Sequence, residues 1–127
     1  MKKIIFIILV ILGLTALSWA YPHETEELMR EAQSAAEAGE IDFAFMRYHT
    51  IWQNDPESVY KESVLFALGE YYYLTSNYDE AEGFFHQFLL QAEDSKGAIF
   101  AKAYLFKIAE MKNEREAMSL FAGEILG

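Results

Sequence analysis

Residues 62–95 read ESVLFALGEYYYLTSNYDEAEGFFHQFLLQAEDS. Leu65, Leu68 and Tyr72 stand three and four apart, and Ala81, Phe85 and Phe88 repeat that spacing after a break at Ser76-Asn77. Apolar residues at these intervals share one face of an α-helix; strand-like alternation is absent. The stretch therefore reads as two amphipathic helices joined by a tight turn. Small Gly69 and Ala81 let the pair approach closely, and the rings of Phe85 and Phe88 fill the space between pairs.

Outward from this pair the same spacing continues. Breaks at Gly39-Glu40, Asn54-Asp55-Pro56, Ser76-Asn77, 93–97 and Lys112-Asn113 divide residues 24–126 into six helices, at about 24–38, 41–53, 58–75, 78–92, 96–111 and 114–126. Asp55 or Ser58 is placed to cap the third helix and Asn113 the sixth. The pairs align on Ala44, Ala81 and Ala117. Four residues later stand Tyr48, Phe85 and Phe121; nine earlier stand Ala35, Tyr72 and Ile108; the aligned turn residues are Gly39, Asn77 and Asn113. The aligned alanines are 37 and 36 residues apart. A period in this range signals stacked helical units.

The pattern resembles the tetratricopeptide repeat. The best copy is 62–95, on Leu65, Leu68, Gly69, Tyr72, Asn77, Tyr78, Ala81, Phe85 and Phe88; a first copy near 25–58 keeps Ala32, Gly39, Ile41, Ala44, Tyr48, Ile51 and Pro56. The third, from about 98, departs at Leu105, Glu114 and Glu124. The resemblance implies an all-α fold of three helix-turn-helix hairpins in a short right-handed solenoid. The run Asn54-Asp55-Pro56-Glu57-Ser58 before the next helix is similar to the repeats of bacterial envelope proteins, such as outer-membrane assembly lipoproteins and the Tol–Pal coordinator. The chain lacks the lipoproteins' cysteine and the coordinator's coiled coil.

The N-terminus differs from the rest. Residues 1–20 read MKKIIFIILVILGLTALSWA: two lysines, an apolar run from Ile4 to Leu17, then Ser18-Trp19-Ala20. This is the layout of a secretory signal cut after Ala20. The alternative is a retained inner-membrane anchor, for which the run is short. The expected location is the periplasm or envelope of a bacterium. Residues 21–127 are then the repeat domain.

The 127-residue chain is 53% hydrophobic, too apolar for disorder, and carries a net charge of -10. Without the leader's two lysines, 8 basic and 20 acidic residues leave -12. Such acidity excludes a nucleic-acid partner. The absence of cysteine excludes disulfides, thiol catalysis and a lipid anchor. No phosphate-binding glycine motif or hydrolase motif is present, so the reading is a non-enzyme without cofactor. His49 and His86 each follow an aligned aromatic, which leaves a metal or small-ligand site as a remote alternative; His23 lies beside the expected cut.

A binding face is the stronger reading. In stacked hairpins the first helices line a concave surface. Positions there that avoid the core are Glu26, Met29, Gln33 and Glu37, then Ser63, Phe66, Glu70 and Tyr73, then Ile99, Lys102 and Phe106. Of the Tyr71-Tyr72-Tyr73 run, Tyr72 fits the core, Tyr71 an inter-repeat seam and Tyr73 the groove. Apolar anchors amid carboxylates suit a basic or apolar segment of a protein or peptide partner. Met118, Phe121, Ile125 and Leu126 on the last helix form a candidate C-terminal interface for self-association or docking. The expected function is an exported adaptor; the alternative is a structural subunit of a homo-oligomer or membrane-associated complex.

Overall fold

The computed structural model describes residues 23–127. The expected leader, residues 1–20, and the expected cut after Ala20 lie outside the described residues. Among the described residues six α-helices follow one another: α1 (23–37), α2 (Ile41–Asn54), α3 (Lys61–Leu74), α4 (Tyr78–Ala92), α5 (Ala98–Lys112) and α6 (Arg115–Leu126). No strand occurs among the described residues. No helix among them is long and apolar enough to cross a membrane.

Each helix ends in a way its sequence explains. Gly39, Ser76 and Asn113 take positive φ values of 80°, 62° and 58°. At each, the residue's own N–H and the next one reach back to carbonyls of the preceding helix: Gly39 to Ala36 and Glu40 to Ala35, Ser76 to Tyr73 and Asn77 to Tyr72, Asn113 to Glu110 and Glu114 to Ala109. This is the Schellman arrangement, in which a left-handed residue turns the chain and satisfies the last helical carbonyls. The three turns are spaced by 37 residues. So are the joints between pairs: Ser58 N–H to Asp55 and Lys61 N–H to Ser58 recur as Ser95 to Ala92 and Ala98 to Ser95.

The repeat is therefore strictly 37 residues, and two readings of the sequence are corrected. The turn residue equivalent to Gly39 and Asn113 is Ser76, which takes the left-handed conformation, not the aligned Asn77. The third-repeat equivalent of Ala44 and Ala81 is Met118, not Ala117; the N–H groups of all three bond to Glu40, Asn77 and Glu114 four residues earlier. Alanine identity at 117 drew the alignment one residue short. The expected caps also differ. Neither α3 nor α6 has a side-chain cap. Asp55 instead accepts from the Thr25 hydroxyl at 2.8 Å, Ser58 Oγ accepts from the Tyr60 N–H, and Asn113 closes α5. The one-turn joints start α3 and α5 at 61 and 98, later than the spacing of apolar residues alone suggests.

Serine pays a steric cost in the left-handed region that glycine escapes. Ser76→Gly, copying Gly39, is expected to raise stability by about 0.5–1 kcal/mol. Thermal denaturation checks this; a fall in Tm would show that the serine makes a compensating contact.

The core is built from the first helices outward. α3 buries Val64, Leu65, Leu68 and Gly69, and α5 buries Ala98, Ala101, Leu105, Ile108 and Ala109. These are wide stripes because each of the two meets at least three other helices, α3 meeting α2, α4 and α5, and α5 meeting α3, α4 and α6. α2 and α4 bury narrower rows, Ala44 and Ile51, and Ala81, Phe85, Phe88 and Ala92. Met29, Ile51, Val64 and Leu68 form one cluster and Leu65, Phe85, Leu105, Ile108 and Phe121 the centre of the next. Trp52 and Phe84 pack against both, with rings edge to face at 5.8 Å, so the core is continuous.

Candidate functional site

Aromatic residues on opposite sides of α3 divide into two networks. Tyr71 stacks on Phe45 of α2 at 3.9 Å and donates its hydroxyl to Asp42, which makes it a seam residue between hairpins. Tyr72 stacks on Phe84 at 5.6 Å. On the other side Phe66 meets Phe85, Phe88 and Tyr104 edge to face at 5.3–6.1 Å. Tyr73 joins this second group against Tyr78 and Tyr104 and is half-buried.

The second network carries a cleft of about 560 Å³ between α3 and α5. Ser63, Phe66, Ala67 and Glu70 form the α3 wall, Lys96 and Gly97 of the joint before α5 with Phe100 of α5 form the opposite wall, and Tyr48 and Phe88 close it from α2 and α4. Ser63, Phe66 and Glu70 share a wall because steps of three and four residues keep one helix face. Gly97 has a packing reason: a Cβ there would lie 2.8 Å from the Phe88 ring. Phe88 reaches the cleft because that position has no side chain.

Glu70 anchors the far end. Tyr104 donates its hydroxyl to Glu70 Oε1 at 2.8 Å across the α3–α5 gap. Burial raises the Tyr104 phenol well above its ordinary pKa, and the hydrogen bond to Glu70 adds to it. Tyr48 is pushed up by burial and then by the Glu70 charge. Both phenols stay neutral donors at any physiological pH, and neither is a cation that could cancel the carboxylate.

A second depression, of about 500 Å³, lies one repeat earlier and is lined by Glu26, Met29, Gln33 and Tyr60 among others. Moved on by 37 residues these are Ser63, Phe66, Glu70 and Gly97, all lining the first cleft. The two hollows are thus the same feature in adjoining repeats.

The structure brings together part of the residue set expected from sequence. Ser63, Phe66 and Glu70 line the α3–α5 cleft. Gln33 lines the earlier one beside Met29, but Met29 is only 4% exposed and belongs to the core cluster of Ile51, Val64 and Leu68. Tyr73 packs among rings. Ile99 and Lys102 lie around the side of α5, in a hollow with Glu124, to which Lys102 pairs at 3.5 Å. Phe106 packs half-buried against the core. The cause is the one-residue slip in the third repeat: with a 37-residue period the equivalents of Ser63, Phe66 and Glu70 are Phe100, Ala103 and Lys107. Phe100, 60% exposed, is among the cleft residues that sequence reasoning missed, as are Glu62 and Lys96. A strict count from Ser63 would have found Phe100.

On the last helix Phe121 is a core residue, 7% exposed, with its ring near His86. Met118 and Ile125 are half-buried, and only Leu126 of the expected interface is open. Phe121→Glu would therefore disrupt the α4–α5–α6 core rather than test a docking surface. His49 sits half-buried beside Phe45, and His86 lies 3.7 Å from Glu82 on its own helix. Among the described residues no group of three or more His, Asp or Glu is placed to hold a metal ion.

Most cations are already engaged. Arg47 pairs with Glu31 across the first hairpin at 2.7 Å, Lys112 bridges Asp79 and Glu82 of α4, and Lys61, Lys107 and Arg30 pair with near neighbours in sequence. Lys112 is raised by hydrogen bonds to Asp79 and then Glu82. Glu26, Glu62, Glu70 and Lys96 make no ion pair among the described residues. No model of a known protein family matches this chain, and no curated protein matches it.

Proposed function

We propose that the chain is an exported, non-catalytic adaptor of tetratricopeptide type that binds a protein or peptide segment in the bacterial cell envelope. The observation that carries the reading is the pair of equivalent hollows, one repeat apart, on the side lined by the first helices. A surface feature that recurs with the repeat suits an extended ligand that runs across it. The 37-residue recurrence of the turns supports the repeat type, and the basic, apolar and small-residue order of residues 1–20 supports export. Envelope partners would meet a surface whose paired cations leave a net negative field.

Photo-crosslinking in the producing cells tests this. A photoreactive phenylalanine analogue at Ser63, on the cleft wall, is expected to yield a discrete protein adduct in the envelope fraction. The same analogue at Glu80, exposed on α4, is expected to yield none. Equal adducts at both positions, or none at Ser63, would refute binding in the cleft.

A further inference from the structure

We infer that the α3–α5 cleft selects an extended segment in which a large apolar residue, best an aromatic one, is flanked two positions away by lysine or arginine. The inference rests on the peptide-binding reading and adds the chemistry of the ligand.

Glu62, Phe66 and Glu70 all line the cleft at steps of four along α3. Residues so spaced lie about 5–6 Å apart on one helix face. Alternate side chains of an extended peptide point the same way and lie about 6.6–6.8 Å apart. A peptide running along α3 therefore meets this row with every second residue. The central side chain enters between Phe66 and Phe100, over Phe88, where an aromatic ring finds edges and faces to pack on. Its neighbours two residues away meet Glu62 and Glu70.

The charges fix the sign. Glu62 and Glu70 have no cationic partner among the described residues, and Glu70 is half-buried beside two neutral phenols. Its charge is less screened than that of an open surface carboxylate. The earlier hollow adds Glu26, also without an ion pair among the described residues, while Lys96 at the α3–α5 cleft is the one lining ammonium there without one. Among the described residues the two hollows thus hold three carboxylates without an ion pair and one such cation, which favours a basic ligand and repels an acidic one.

The test is selection from a random heptapeptide display library on the full chain, purified in mild detergent. Expected is enrichment of basic–x–aromatic–x–basic sequences. A labelled synthetic peptide, AKSFSKA, is then measured by fluorescence anisotropy. Phe100→Ala, and alanine in place of the peptide's phenylalanine, should each weaken binding about tenfold or more. Glu70→Gln keeps an acceptor for Tyr104 while removing the charge; it should weaken binding about fivefold or more at low salt, a difference that shrinks near 0.5 M salt. Circular dichroism melts show whether each variant keeps its fold. Enrichment of acidic or uncharged sequences, or binding indifferent to Phe100→Ala and Glu70→Gln in folded protein, overturns the inference and leaves peptide binding standing. No enrichment of any sequence overturns both.

Discussion

Phe85→Ala is expected to lower the free energy of unfolding by about 3–5 kcal/mol. Phe85 is fully buried where α3, α4 and α5 meet. Its ring stacks on Tyr104 at 4.7 Å with planes 10° apart, meets Phe66 edge to face at 5.6 Å, and lies against Gly69. Removing it takes away the largest fully buried side chain of the chain's described part and leaves a cavity lined by rings too rigid to collapse into it. The loss compares with the whole stability of a typical domain, about 5–15 kcal/mol. Phe66 and Tyr104, which form and span the cleft, would lose their support together. Urea unfolding followed by circular dichroism measures the change. A loss under about 1 kcal/mol would mean that the site closes up or that these rings are not packed as described.

Gly69→Val is expected to cost about 2–3 kcal/mol. A Cβ at position 69 would stand 2.9 Å from both Cε1 and Cζ of Phe85. The ring has little room to retreat, because Tyr104 is stacked on it and Phe66 meets it edge to face. α3 and α4 must therefore separate or Phe85 must leave its rotamer. The better helix propensity of valine offsets only a few tenths of a kcal/mol. Gly69→Ala in combination with Phe85→Leu, which lacks those ring carbons, should be less damaging than the sum of the single changes, by about 1 kcal/mol. A neutral or stabilising Gly69→Val would show that the two helices are farther apart.

These residues also mark how far sequence reading reaches. The period of apolar residues located all six helices to within three residues, because burial of one face dictates that period. Gly69, Ala81 and Phe85 already implied a close α3–α4 contact. What escaped was the register of the third repeat. Alanine at 117 and phenylalanine at 121 imitate Ala81 and Phe85, yet the chain counts from the turn, and Asn113 fixes that count through backbone hydrogen bonds that residue identity does not reveal. The slip moved every α5 residue by one position, about 100° around the helix. Ile99 and Lys102 were thereby taken for cleft residues and Phe100 was lost. Met29 and Tyr73 illustrate a second limit. Met29 is buried in the core and Tyr73 half-buried among rings; spacing gives the face, but the size of neighbouring side chains decides burial.

The adjacent residues Ile99 and Phe100 separate the two registers by experiment. Both are exposed, at 51% and 60%, so alanine at either position should leave the fold intact. The decisive measurement is the yield of the Ser63 crosslink in cells that carry Ile99→Ala or Phe100→Ala. With Phe100 on the wall opposite Phe66, Phe100→Ala should reduce the yield about tenfold and Ile99→Ala should leave it unchanged. Loss with Ile99→Ala and retention with Phe100→Ala would contradict the 37-residue register and the cleft built on it.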